Sequence, residues 1–155
     1  MLGAGHALAG RDAIRPAELG GGRLWCPASV DRLDFLGRFA EQFGVATESG
    51  VNLGLDYFVE QIAADPLRFS LFPADAPLPT HSGVRGIQLV APTPLYAWSL
   101  VWSEQTQHPR LDVLLRGLAR AGRRSRWLEY HPDRDWLPDH DRAELARLSP
   151  PAAKT

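Results

Sequence analysis

Apolar residues recur along this chain in two rhythms, one with a period of about 3.6 residues and one of about 2, and the switches between them mark its elements. Val30, Leu33, Leu36, Phe39, Ala40 and Phe43 form one stripe. They predict a helix over Ser29–Phe43, with Ser29 as N-cap, Asp31 in the first turn and Gly44 as the stop. Leu55, Phe58, Val59, Ile62 and Ala63 form a second stripe, predicting a helix over 53–64 that Asp65-Pro66 ends. Leu111, Leu114, Leu115 and Leu118 predict a third helix over Pro109–Ala121, with Pro109 at its first position and Gly122 stopping it. Short apolar runs predict strands at Arg23–Cys26, Val45–Glu48, Arg68–Phe72 and Ile87–Val90. Leu95–Ser103 is the longest alternating run. Tyr96, Trp98, Leu100 and Trp102 fall on one face, and Leu95, Ala97, Ser99 and Val101 on the other. Two apolar faces predict an inner strand covered on both sides. Met1–Gly22 is rich in small residues and reads as loop, with one helical turn at Pro16–Leu19. Pro and Gly mark 73–83 as a surface loop. The order β-α-β-α-β-loop-β-β-α predicts an α/β fold on a largely parallel sheet.

Composition narrows this only a little. The 155 residues suffice for one domain or a fragment of a larger one, and 45% apolar content is enough for a core. A formal net charge of −1 offers no bulk basic field for nucleic acid. The single cysteine, Cys26, rules out an internal disulfide framework, follows apolar Leu24-Trp25 as a buried thiol should, and fits a reducing cytoplasm. No apolar run approaches the ~20 residues of a membrane span, and Met1–Gly10 lacks the basic and apolar regions of a secretory signal. Beyond Arg123 the chain is charged, with a helix predicted over Asp139–Leu148. Trp127, Leu128, Trp136 and Leu137 are placed to pin this tail to the body. Pro150–Thr155 reads as disordered.

Motifs that carry chemistry are sparse. His131, Asp133, Asp135, Asp139, His140 and Asp141 match no metal-ligand spacing and read as a solvated tail, so no metal is expected. No serine lies in a G-x-S-x-G elbow, the histidines are scattered in loops, and Glu48 and Asp56 form no evident acid–base pair, so no catalytic residue is assigned. Arg120, Arg123, Arg124 and Arg126 follow a helix C-terminus without a helix-turn-helix pattern, and read as a solvated helix end. Positional logic favours one group. Ligands of open α/β sheets bind beyond the carboxyl ends of the strands, where helix N-termini offer free N–H groups. Those ends are Pro27–Ser29, Glu48–Asn52 and Phe72–Ala74, and a small anion would dock there. Plain helix capping by Ser29 and Asn52 explains the same residues without a ligand.

Several segments, in order, carry a family resemblance. HALAGRDAIRPAEL from His6, LWCPASVDRLDFLGRFAEQFG, the SGVNLGLDYFVEQIAADP segment, LRFSLFP, and SLVWSEQTQHPRLDVLLRGL resemble the later two-thirds of the effector-binding domain of LysR-type transcriptional regulators, across His6–Ala121. Two departures stand out: Ala7 replaces the usual proline, and ADPLRF replaces a glycine-containing turn. The resemblance implies a fold like the type 2 periplasmic binding proteins, two α/β subdomains about a ligand cleft. Residues 1–122 would then be a partial effector-binding domain, with the second subdomain at about 20–85 and the return into the first at about 86–122; 123–155 would be a C-terminal tail. By the same resemblance, one α/β subdomain would be complete, and only the returning strand and helix of the other would be present. Met1 would stand near the crossing between subdomains, and the family's DNA-binding winged helix would lie outside this chain. The resemblance also implies homo-oligomers. The effector-contact positions it transfers are Pro27, Ser29, Ser49, Asn52 and Pro73.

The expectation is therefore a cytoplasmic, non-enzymatic, effector-sensing unit for a small, anionic metabolite. It would have no cofactor and no metal, touch neither DNA nor membrane, and pair with itself. The alternative is a small hydrolase-like α/β enzyme using a cleft at the same strand ends.

Overall fold

The structure is a computed structural model describing residues 1–74, 76–77, 83–105, 108–127 and 129–148. Its frame is a mixed α/β sheet. In chain order the elements are β1 (Leu2–Gly3), β2 (Ala13–Ile14), a 3₁₀ turn Pro16–Leu19, β3 (Arg23–Cys26), a 3₁₀ turn Val30–Arg32, α1 (Asp34–Phe43) and β4 (Ala46–Ser49). They continue with α2 (Leu55–Ala63), β5 (Arg68–Phe69), β6 (Val84–Arg85), β7 (Gln88–Leu89), β8 (Thr93–Pro94), α3 (Leu111–Ser125), β9 (Asp135–Trp136) and α4 (Asp139–Leu148).

The five-stranded sheet has the order β4-β3-β5-β1-β6. β3 is parallel to both β4 and β5, whereas β1 runs antiparallel to both of its neighbours, β5 and β6. The expected largely parallel sheet is thus a mixed one. The three parallel strands are those separated by helices, because a parallel neighbour requires a crossover. β1 precedes any crossover and is free to lie reversed. The sequence reading of 1–22 as loop missed both β1 and β2, which are two-residue strands too short to show a period. β2 pairs in parallel with β7, and β8 with β9, as separate ribbons.

The register sorts the side chains onto two faces. Leu24, Cys26 and Phe69 enter one core with Leu2, Ile14, Leu19, Phe39, Ala40 and Val45, beneath α1. Trp25 enters the other with Val59, Ile62 and Val84, beneath α2. Cys26 is fully buried, as expected, and burial pushes its thiol pKa up.

Helix boundaries moved where packing overrode local signals. The predicted helix 29–43 is broken at Leu33 (φ −124°, ψ 66°) into the turn 30–32 and α1. Val30, Leu33, Leu36 and Phe39 are spaced by three, and such a row drifts around an unbroken helix by about 60° at each step. The break lets Val30, Leu33 and Leu36 all pack on the same core as Phe39. Gly44 closes α1 in the left-handed region (φ 64°), its N–H reaching Ala40 and Glu41 carbonyls. α3 begins two residues after Pro109 and runs through Gly122 to Ser125, so Gly122 does not stop it. Its C-cap is Arg126, whose N–H bonds to the Gly122 carbonyl. Only 68–69 of the predicted 68–72 strand, and 88–89 of 87–90, pair as strands.

The largest correction is Leu95–Ser103, which forms no strand. The ladder stops at Pro94, and the last backbone bond runs from Leu95 N–H to the Trp136 carbonyl. The described residues offer no strand for 96–103 to pair with, so the alternation has no sheet to enter. The tail, by contrast, is anchored where expected. Trp136 packs against Phe35, Phe39 and Phe43, and Leu137 is buried. Trp127 is exposed, whereas Leu128 and Pro150–Thr155 lie outside the described residues.

Candidate functional site

β3 and β4 lie side by side, but their outgoing connections diverge. From Cys26 the chain leaves over the face covered by α1; from Ser49 it leaves over the face covered by α2. Because Cys26 and Ser49 are register partners, the divergence opens directly between Pro27–Ser29 and Gly50–Asn52. This is a topological switch point, where open α/β sheets form ligand crevices.

Of the predicted site residues, Pro27 and Ser29 lie on one of these two connections, and Ser49 and Asn52 lie on the other. The Ser49 hydroxyl accepts a hydrogen bond from the Val30 N–H at 3.3 Å, tying the end of β4 to the turn that follows β3. That bond leaves the Ser49 proton free to be donated. Ser29, predicted to cap this turn, makes no capping bond; its Oγ lies 3.4 Å from Asp31 Oδ2. Ser49 therefore does the capping that Ser29 was expected to do, a long-range contact invisible in local spacing. Pro27 is half-buried between β3 and Ser29. Asn52 is exposed, and its Oδ1 accepts the Gly54 N–H at 3.1 Å, shaping the approach to α2 rather than capping it. Pro73 is exposed in the loop after β5, and among the described residues it makes no hydrogen bond to Ser29, Ser49 or Asn52.

The floor of the crevice is aromatic. The Gly50 N–H bonds to the Cys26 carbonyl at 2.8 Å, and a Cβ on Gly50 would lie 2.5 Å from the Trp25 ring. Trp25 stacks edge-on against Tyr57 and Phe58 of α2, with centroids 6.3 and 5.2 Å away. Only glycine allows the 49–52 turn to lie this close to the indole.

Beneath it sits a charged group that sequence reading passed over. Arg68 grips Glu48 with two donors, its Nε at 3.0 Å from Oε2, and its Nη1 reaches the Gln61 carbonyl at 3.1 Å. Arg23 pairs with Asp65, and its enclosed Nε lies 3.4 Å from Glu48 without hydrogen-bond geometry. The hydrogen bond from Arg68 holds the Glu48 carboxyl below the usual carboxylate range, and Glu48 in turn raises the Arg68 guanidinium. Asp65 is lowered first by the Leu67 N–H and then by Arg23. Arg23, Glu48 and Arg68 alternate along neighbouring strands on one face, which is the signal that could have found them.

The α1 side is acidic. An open groove of about 380 Å³ is lined by Val30, Asp31, Asp34, Gly37, Arg38 and Glu41, with Arg38 held by Asp34. These carboxylates disfavour an anion at Ser29. A second cavity, about 20 Å³ between the sheet and the β2–β7 pair, has room for about one water. Two histidines serve local turns: His6 Nδ1 accepts the Leu8 N–H, and His108 Nδ1 accepts the Arg110 N–H. Among the described residues no group of His, Cys, Asp or Glu is placed to hold a metal, and no helix is long and apolar enough to cross a membrane. Comparison with family models, with curated proteins and with solved structures finds no match.

Proposed function

We propose that this chain is the second subdomain and return segment of a LysR-type effector-binding unit, and that it senses a small metabolite rather than transforming it. The observation that carries the reading is the switch point between β3 and β4, with Ser49, Gly50 and Asn52 on its polar side. The reversed β1 supports it: a strand entering the sheet from a neighbouring subdomain needs no crossover, and so lies antiparallel to its neighbours β5 and β6. Such a unit is half of a clamp resembling the type 2 periplasmic binding proteins and works in the cytoplasm. Its ligand carries one carboxylate or similar acceptor. The Ser49 proton and the first amides of α2 receive that group, while Asp31 and Asp34 turn negative charge away from the other wall.

The test is an NMR titration of the chain with a panel of aliphatic and aromatic carboxylic acids. The expected outcome is saturable amide shifts confined to residues 27–30 and 49–53, reduced in Ser49→Ala. An intact fold with no shifts there for any acid would make the arrangement capping alone and overturn the reading.

A further inference from the structure

The helix α3 carries charge that the crevice does not use. It runs from Leu111 to Ser125, so Arg123 and Arg124 lie within it rather than beyond its end. At about 100° per residue, Arg116, Arg120, Arg123 and Arg124 fall within about 100° of arc, and Leu111, Leu114, Leu115 and Leu118 gather on the opposite side. All four arginines are exposed. In α1 and α4 the arginines are paired on their own helix: Arg38 with Asp34, Arg142 with Asp139, Arg147 with Glu144. The four of α3 form no ion pair with the described residues, and their helix holds a single acid, Asp112. Like charges three and four residues apart repel along the stripe. The formal net charge of −1 hides it, because the balancing acids lie on other elements. At the C-terminal end of the same helix, Arg126 turns the chain in the left-handed region (φ 58°), and the Trp127 N–H bonds to the Gly122 carbonyl at 3.0 Å. The indole folds back on the last turn, where a Cβ on Gly122 would lie 3.2 Å from the ring, yet Trp127 stays 60% exposed.

We propose that α3 docks single-stranded nucleic acid, its arginine stripe on consecutive phosphates and Trp127 on a base. The stripe rises about 12 Å from Arg116 to Arg124, a length over which a stacked strand carries about four phosphates. Arginine suits the task, because its planar fork takes phosphate oxygens two at a time. Bound phosphates remove the repulsion along the stripe and release their own counterions. An exposed ring beside a basic track is how sequence-tolerant single-strand binders hold bases. A duplex keeps its bases stacked inside and would leave Trp127 idle. An anionic membrane would draw the leucines down and leave the arginines on the far side of the helix from the headgroups. The leucine face takes no part, so the dock stands whether or not another subdomain covers those leucines, and it is independent of the metabolite crevice.

The test is fluorescence anisotropy of a labelled oligothymidylate of about 15 nucleotides, titrated with the whole chain over a range of salt concentrations. The expected result is binding whose log–log salt slope is about −3, from about four phosphates at about −0.7 each. Arg120→Ala combined with Arg124→Ala weakens it at least about tenfold and makes the slope shallower by about 1.4. Trp127→Ala weakens it at least about fivefold and leaves the slope unchanged. All three residues are exposed and lie outside both cores, so the variants keep the fold. Absence of binding at low salt and tens of micromolar chain overturns the proposal. So does binding that either variant leaves unchanged, a duplex of the same length held as tightly as the single strand, or capture by phosphatidylserine vesicles without capture of the oligonucleotide. The acid titration reads residues 27–30 and 49–53 instead, so either proposal can fail alone.

Discussion

At the scale of single residues, Gly50 and Trp25 set the shape of the crevice together. The indole fills the space a side chain would need, at 2.5 Å from the Cβ position. Gly50→Ala should therefore cost about 1–3 kcal/mol, the usual range for overpacking a well-filled site, and should move the 49–52 amides. Urea denaturation checks the first effect and an amide spectrum the second; an unchanged midpoint would mean that the turn does not rest on the ring. Nothing in the spacing around Gly50 announces this. Val51 and Asn52 made the stretch look like an ordinary turn, and the constraint comes from a ring 25 positions earlier in the chain. Ser49 is similar: its hydroxyl is legible as polar at a strand end, but its partner, the Val30 N–H, is supplied by tertiary structure.

At the scale of elements, β3, β4 and β5 are cross-tied by Arg23, Glu48, Asp65 and Arg68 at the level of the sheet face under α2. The Glu48 side chain is 30% exposed and that of Arg68 19%, so the ties are only partly screened. Glu48 is held ionised below its unfolded value, chiefly by the hydrogen bond from Arg68. A depressed carboxylate contributes stability above its unfolded pKa and loses it as pH falls through the folded one. The chain should therefore hold its melting temperature down to about pH 4.5 and lose it steadily below that, starting from the ordinary carboxylate range. In Glu48→Gln the neutral-pH stability should drop by about 1–2 kcal/mol, and the acid limb should flatten. Thermal melts of both proteins between pH 3 and 7 measure this, and parallel acid limbs would remove Glu48 from the account. The helices themselves were legible because their stripes are long. Their ends were not, because Leu33 breaks to bring Val30 and Leu36 onto one core, while α3 runs past Gly122 to a cap at Arg126.

At the scale of the whole molecule, the segment around β9 is joined to the body by a few side chains. Trp136 packs into three phenylalanines of α1 while β9 pairs with β8. Trp136→Ala should cost about 3–5 kcal/mol, as for large aromatic truncations in a core, and should free the segment after 130. Limited proteolysis reads this as early cleavage between β9 and α3 in the variant; an unchanged digestion pattern would place the anchor elsewhere. Sequence pattern placed Trp127, Leu128, Trp136 and Leu137 as pins because they are apolar islands in a charged tail; Trp136 and Leu137 take that role, whereas Trp127 stays exposed, because pattern alone does not say which island finds a partner.

The α/β class, the places of α1, α2, α3 and α4, strand β3 and the burial of Cys26 follow from the chain alone, because each rests on local periodicity or on a residue's own hydrophobicity. Five two-residue strands, β1, β2, β6, β8 and β9, exist only through partners far away in sequence, and too few residues repeat within them to leave a pattern. The same holds for the crevice. Its hydroxyl and amide residues were readable at strand ends, but their meeting depends on β3 and β4 sending their connections to opposite faces, which only the packed sheet decides. Leu95–Ser103 marks the converse case. Its alternation specifies a strand as clearly as any stretch here, yet a strand is made by its neighbours' hydrogen bonds, and within the described chain those neighbours are lacking.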